Sequence, residues 1–117
     1  MLFGQDAETE LFQGFWYGVP LSVLEKTLMA NRHILVNAYE FSGDTFSYFI
    51  IDGSDYEILT NPDILLEGKF TINSAQKTIS FTHINYEATL KYTFLDDKKT
   101  LRLKSEGIYS RFYFLYR

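Results

Sequence analysis

The chain is 117 residues long, which suits one domain, and carries 46% hydrophobic residues and a formal charge of −4. That mild acidity offers no basic face for nucleic acid, and the absence of cysteine removes disulfides, thiolate chemistry and thiolate-bound metals. Aromatic residues reach 18%, which favours strands around a large apolar interior.

The N-terminus "MLFGQDAETE" has neither the basic start nor the apolar core of a signal peptide. No apolar run approaches the roughly 20 residues that span a bilayer. Asp6 to Phe12 is expected to form a short turn of helix, with Asp6, Glu8 and Glu10 as a solvated acidic stretch. "ELFQG" resembles part of a protease-cleavage tag. Its apolar pattern nevertheless runs straight into Gly14 and Trp16, so we read it as part of the fold.

A first strand is expected at 13–19. "PLSVLEKTLMAN" then reads as a helix over Ser22–Ala30, with an extended strand into Leu35 as the alternative. Ser22 and Glu25 stand at capping-box spacing after Pro20, and Val23, Leu24 and Leu28 form an apolar stripe. Strands follow at 33–42 and 45–51. Between them Gly43-Asp44 is a two-residue loop whose leading glycine suits a type II′ turn. That register sets Phe41 opposite Phe46, Tyr39 opposite Tyr48 and Asn37 opposite Ile50. Asn61-Pro62-Asp63 is a break.

The next hairpin joins 65–73 to 77–83 through Ser74–Lys77, with Ile72 opposite Ile79 and Phe70 opposite Phe81. Another joins 88–95 to 100–104 through Asp96–Lys99, with Phe94 opposite Leu101 and Tyr92 opposite Leu103. Both alternate strictly between a dry and a wet face. The last strand, 108–116, is apolar on both faces. Ile108, Phe112, Phe114 and Tyr116 share one face, while Tyr109, Tyr113 and Leu115 share the other. Its second face therefore calls for a cover.

The fold class is all-β in a single domain over 1–117. Eight antiparallel strands joined in sequence order close into an up-and-down barrel, with a short helical insert after the first strand. Closure removes unpaired edges. The registers turn Tyr39, Phe41, Phe46, Tyr48, Ile50, Phe70, Ile72, Ile79, Phe81, Leu90, Tyr92 and Phe94 inward. Tyr39, Phe41, Phe46, Tyr48, Ile50, Phe70, Ile72, Phe81 and Tyr92 are the candidate pocket residues, and a fully filled core is the competing expectation. Val36, Phe49, Ile51, Tyr113 and Leu115 fall on faces expected to point outward, where they suit a homodimer seam or a protein target.

Little else in the chain suggests chemistry. His33 and His83 sit beside strands without metal-ligand spacing and suit ordinary hydrogen bonds. "DGSDYE", Asp52 to Glu57, is rich in oxygen but does not follow the calcium-loop ladder, and reads as turn chemistry. No serine has a nucleophile's context. We expect no catalytic residue, no metal site and no cofactor.

Gly14-Phe15-Trp16 matches the G-x-W signature on the first strand of lipocalin-like (calycin) barrels. "FSGDTF" (Phe41, Gly43, Phe46) and "GKFTI" (Gly68, Phe70, Ile72) echo later elements of the small bacterial members, which the chain resembles over nearly its whole length. The resemblance implies that Trp16 closes the barrel base beneath a basic residue of the last strand. Arg117 is the first choice for that residue and Arg111 the second. It implies a pocket opening away from Trp16, at an end we expect to hold Gly43-Asp44 and the Ser22–Ala30 insert as a lid. It further implies a non-enzymatic binder of a hydrophobic small molecule or lipid in a periplasmic or secreted setting. The alternative is a protein-interaction or structural module with a filled core, dimeric or inhibitor-like.

Overall fold

The computed structural model describes residues 6–29, 35–52, 64–84, 86–107 and 110–117. After a short helix α1 (Thr9–Phe12) come strand β1 (Gly14–Tyr17) and helix α2 (Leu21–Met29). Seven more strands follow: β2 (Leu35–Ser42), β3 (Thr45–Asp52), β4 (Ile64–Asn73), β5 (Thr78–His83), β6 (Tyr86–Leu95), β7 (Thr100–Ser105) and β8 (Phe112–Tyr116). Each strand pairs antiparallel with the next, and β8 returns to β1, giving the closed eight-stranded up-and-down barrel that the hairpin pattern predicts.

The three hairpins hold their expected registers. Phe41 faces Phe46, Phe70 faces Phe81, and Phe94 faces Leu101. In the β2–β3 turn, Gly43 has φ +62° while Asp44 is not left-handed, the combination a type II′ turn requires. The β6–β7 turn holds three consecutive non-glycine residues, Asp96, Asp97 and Lys98, at φ +51°, +53° and +65°. Left-handed backbone costs such residues about 1–2 kcal/mol each. Arg117 helps hold this turn in place, donating from its backbone N–H to Lys99 O and from Nε to Lys98 O.

Insert α2 is helical rather than extended. It starts at Leu21, one residue before the expected Ser22 cap, and Pro20 O accepts the Leu24 N–H at 3.0 Å. Its stripe is narrower than the apolar pattern suggests, since Leu24 is buried whereas Val23 is exposed. Leu24 packs with Val36, Ala38, Phe49 and Ile51 on the outer face of β2 and β3, flanked by Tyr17 and Val19. So Val36, Phe49 and Ile51 do point out of the barrel, but the chain's own helix covers them. The helix is a buttress on the wall, and the expectation of a lid is corrected.

The faces of β8 are likewise corrected. Leu115 lies opposite Leu101, and Tyr113 opposite Leu103, both of which face the interior. Leu115 is therefore part of the main core, while Phe112 and Phe114 are exposed on the outside. Leu28's side chain, His33, residues 53–63 with most of "DGSDYE" and the Asn61-Pro62-Asp63 break, and Ile108 and Tyr109 lie outside the described residues.

Candidate functional site

The two ends of the barrel differ, and the difference starts at α1. A helix leaves its last four carbonyls without intrahelical donors, and a four-residue helix has no others. All four are met here. Gln13 donates from Nε2 to Thr9 O and from its backbone N–H to Glu10 O, both at 3.3 Å. Arg117 Nη1 donates to Leu11 O at 2.9 Å, and Trp16 Nε1 donates to Phe12 O at 2.8 Å. Trp16 is fully buried, and the Arg117 guanidinium lies 4.2 Å from its ring centroid. Burial holds the Arg117 pKa below its ordinary value. Gly14, at φ +107°, takes a backbone conformation that side chains rarely adopt, and so carries the chain from α1 into β1.

Two hairpin turns, β2–β3 and β4–β5, grip this plug from outside, and Tyr92 of β6 adds a contact. The Gln13 amide donates to Gly43 O at 2.9 Å and accepts the Gly43 N–H at 2.7 Å. Asp6 Oδ2 accepts from the Ser74 hydroxyl at 2.6 Å and the Ser74 N–H at 2.9 Å. Glu8 pairs with Lys77 at 2.9 Å and accepts the Tyr92 hydroxyl at 3.1 Å. Hydrogen bonds from the Ser74 hydroxyl, then from the Glu8 and Ser74 N–H groups, hold Asp6 below its ordinary pKa of 3.8. Burial, then the Glu8 carboxylate, pushes Tyr92 well above 10.0. Asp6 and Glu8 are thus clamps, which corrects their reading as a solvated stretch. Gly43-Asp44 belongs to this closed end, which corrects its expected place at the pocket mouth.

Inside, large rings crowd the plugged half. Phe12 meets Tyr92 and Phe94 edge-on, each at 5.0 Å between centroids, and Phe41 meets Phe70 at 4.8 Å. Towards the other end the wall carries Gly18, Leu66, Ala88, Leu90, Leu103 and Ser105. An eight-stranded barrel is just wide enough for side chains to fill. The plugged half is filled by rings packed on one another, and the other half, where Gly18, Ala88 and Ser105 interrupt the larger side chains, is not. It leaves a cavity of about 720 Å³. Tyr39, Phe46 and Phe81 form its floor, and Tyr86 and Tyr113 stand at its exposed rim.

The cavity also reaches the barrel seam. β1 stops at Tyr17 and meets β8 in one pair, Tyr17 with Tyr116. Beyond it Gly18 and Asn37 face the run Phe112–Tyr116 across the cavity. A Cβ at Gly18 would meet the Asn37 side-chain oxygen, so a larger residue at that corner requires this exposed side chain to move.

No described residue lining the cavity is charged. Its polar lining residues are Asn37, Ser105, Tyr39, Tyr86, Tyr113 and Tyr116. Burial, reinforced by the neighbouring phenols of Tyr48, Tyr86 and Tyr113, pushes the Tyr39 pKa up to about 12. No family model, curated protein or solved structure matches this chain. What the cavity does must be read from its own wall.

Of the candidate pocket residues, Tyr39, Phe46 and Phe81 line the cavity. Phe41, Phe70, Ile72 and Tyr92 pack into the filled half. Tyr48 packs at a tilt against Tyr39, 4.9 Å between centroids, without lining the space, and Ile50 also lies outside the lining. His83 accepts an ordinary strand-end role, with Nδ1 2.6 Å from Glu67 O. The sequence reading missed Ala88, Leu103 and Ser105, although period-2 alternation continued from Leu90 and Leu101 would have turned all three inward.

Proposed function

We propose that this domain is a non-enzymatic binding protein that holds one hydrophobic small molecule or lipid in the unfilled half of its barrel. The observation that carries the proposal is the cavity itself. Its volume, about 720 Å³, falls within the range of roughly 300–1,000 Å³ typical of ligand sites, and its wall is mainly apolar with a few converging hydroxyls. The contact between Arg117 and buried Trp16, beneath a G-x-W strand, supports kinship with the small lipocalin-like domains.

Native mass spectrometry of protein purified from its host should show a bound small molecule. Ala88→Trp is the matching control. It places an indole into existing space, so it should keep the fold and abolish binding. Wild-type protein that carries nothing and takes up no uncharged fluorophore would end the proposal.

A second reading, a protein-contact role, draws on one place. Phe112 and Phe114 are 52% and 42% exposed on the outer wall, where Arg102 and Lys104 lie 5.1 and 5.8 Å from the Phe112 ring centroid. Of the other residues that motivated it, Val36, Phe49 and Ile51 are already covered by α2, and Tyr113 and Leu115 turn inward. Light scattering over a concentration series decides the dimer form of this reading. A monomer throughout, unaffected by Phe112→Ser, would remove it.

A further inference from the structure

We infer that the cavity selects an uncharged ligand, a hydrophobic skeleton bearing a hydroxyl, carbonyl or amide, and discriminates against fatty-acid-type carboxylates. This rests on the pocket reading above and narrows it to a chemical class.

The inference starts from where the cations are. A carboxylate taken out of water needs a positive partner or several donors, or it reverts to its neutral form. The cationic side chains with defined contacts are engaged elsewhere. Arg117 lies on Trp16 at the plugged end and Lys77 pairs with Glu8 there. Arg102 and Lys104 lie over the outward ring of Phe112, a residue that also borders the cavity at the seam, and Lys91 pairs with Glu106 at 3.3 Å between exposed side chains. None of these, and no other described cation, lines the cavity.

The polar groups that do line it point to the rest of the ligand. Tyr39, Tyr86 and Tyr113 bring phenol groups to one region and Asn37 adds to them, while the Ser105 hydroxyl already accepts the Arg111 N–H at 2.9 Å. Each hydroxyl both donates and accepts. With its pKa near 12, the Tyr39 phenol stays protonated throughout the physiological range. A pure hydrocarbon would strip water from these groups and return no hydrogen bond, leaving them unpaired. A neutral oxygen or nitrogen restores what the water supplied. The aromatic walls allow one competing chemistry, a quaternary ammonium held on ring faces, and the test must separate it.

The test is displacement of the uncharged fluorophore phenylnaphthylamine by ligands sharing one chain: dodecanol, dodecane, dodecanoate and dodecyltrimethylammonium. All are used below micelle-forming concentrations, at a pH where the carboxylate is ionised. Dodecanol should displace the probe at about ten-fold lower concentration than either ion, equivalent to about 1.4 kcal/mol in affinity. It should also outcompete dodecane, and the Tyr39→Phe/Tyr113→Phe double variant should shrink that advantage several-fold. Equal or better displacement by either ion overturns the inference and leaves the pocket reading standing, as does dodecane matching dodecanol. Failure of wild-type protein to bind the fluorophore at all overturns both.

Discussion

Trp16→Ala should lower the unfolding free energy by about 3–5 kcal/mol, the usual cost of truncating a buried aromatic. For a chain of this length that corresponds to a melting temperature lower by roughly 12–20 °C. Three losses combine. The indole is fully buried between the plug and the barrel interior, with Phe94 at 6.1 Å between centroids, so its removal leaves a void. The Phe12 carbonyl loses its donor, and an unpaired buried acceptor costs about 1–3 kcal/mol. The Arg117 guanidinium loses the ring beneath it, a contact worth about 0.5–2 kcal/mol. Trp16→Leu keeps part of the volume but supplies neither the N–H nor the ring. A double-mutant cycle of Trp16→Leu with Arg117→Met should then show positive coupling. Thermal and chemical denaturation measure all of these. Fluorophore binding should stay within a few-fold of wild type, because Trp16 does not line the cavity. A cost below about 1.5 kcal/mol would mean that the indole is not the closure its contacts describe.

Much of this fold was legible because hairpin grammar is local. Gly43 before Asp44 dictates a turn type, the turn dictates a register, and the register sets Phe41 on Phe46 without reference to the rest of the chain. Strand alternation did the same for Phe70 with Phe81 and for Tyr92 with Leu103. The last strand defeated this logic because it is apolar on both sides. Only its pairing with β7 reveals that Leu115 faces in and Phe114 faces out. The site was less legible for a related reason. Alternation tells which residues face the interior but not how far along the barrel each one sits. Phe41 and Tyr39 are two residues apart on one face, yet one is buried beneath the plug and the other floors the cavity. What separates them is the height of α1, fixed by contacts from Asp6 to Ser74 and from Gln13 to Gly43 that span 68 and 30 residues. No short-range pattern encodes those contacts.

The plug should behave as a separable opening unit with a pH dependence at both extremes. Phe12→Ala removes its one fully buried ring, which meets Phe41, Tyr92 and Phe94 edge-on, and should cost about 3–5 kcal/mol. The polar clamps add the pH response. Asp6 is held below 3.8 in the fold, so its contribution is present above that value and is lost as pH falls through the lowered pKa. Tyr92 is raised above 10.0, so its contribution is complete below that value and declines as pH rises beyond it. The Trp16 indole N–H is a built-in reporter, since its acceptor is the plug's own Phe12 carbonyl. Its exchange with solvent, corrected for intrinsic rates, should accelerate at the acid limit before the barrel strands lose protection. In Asp6→Asn that acid response should be flattened, and in Phe12→Ala exchange should be fast even at neutral pH. If instead the indole and the strand amides always lose protection together, α1 is an inseparable part of the barrel rather than a plug set into its base.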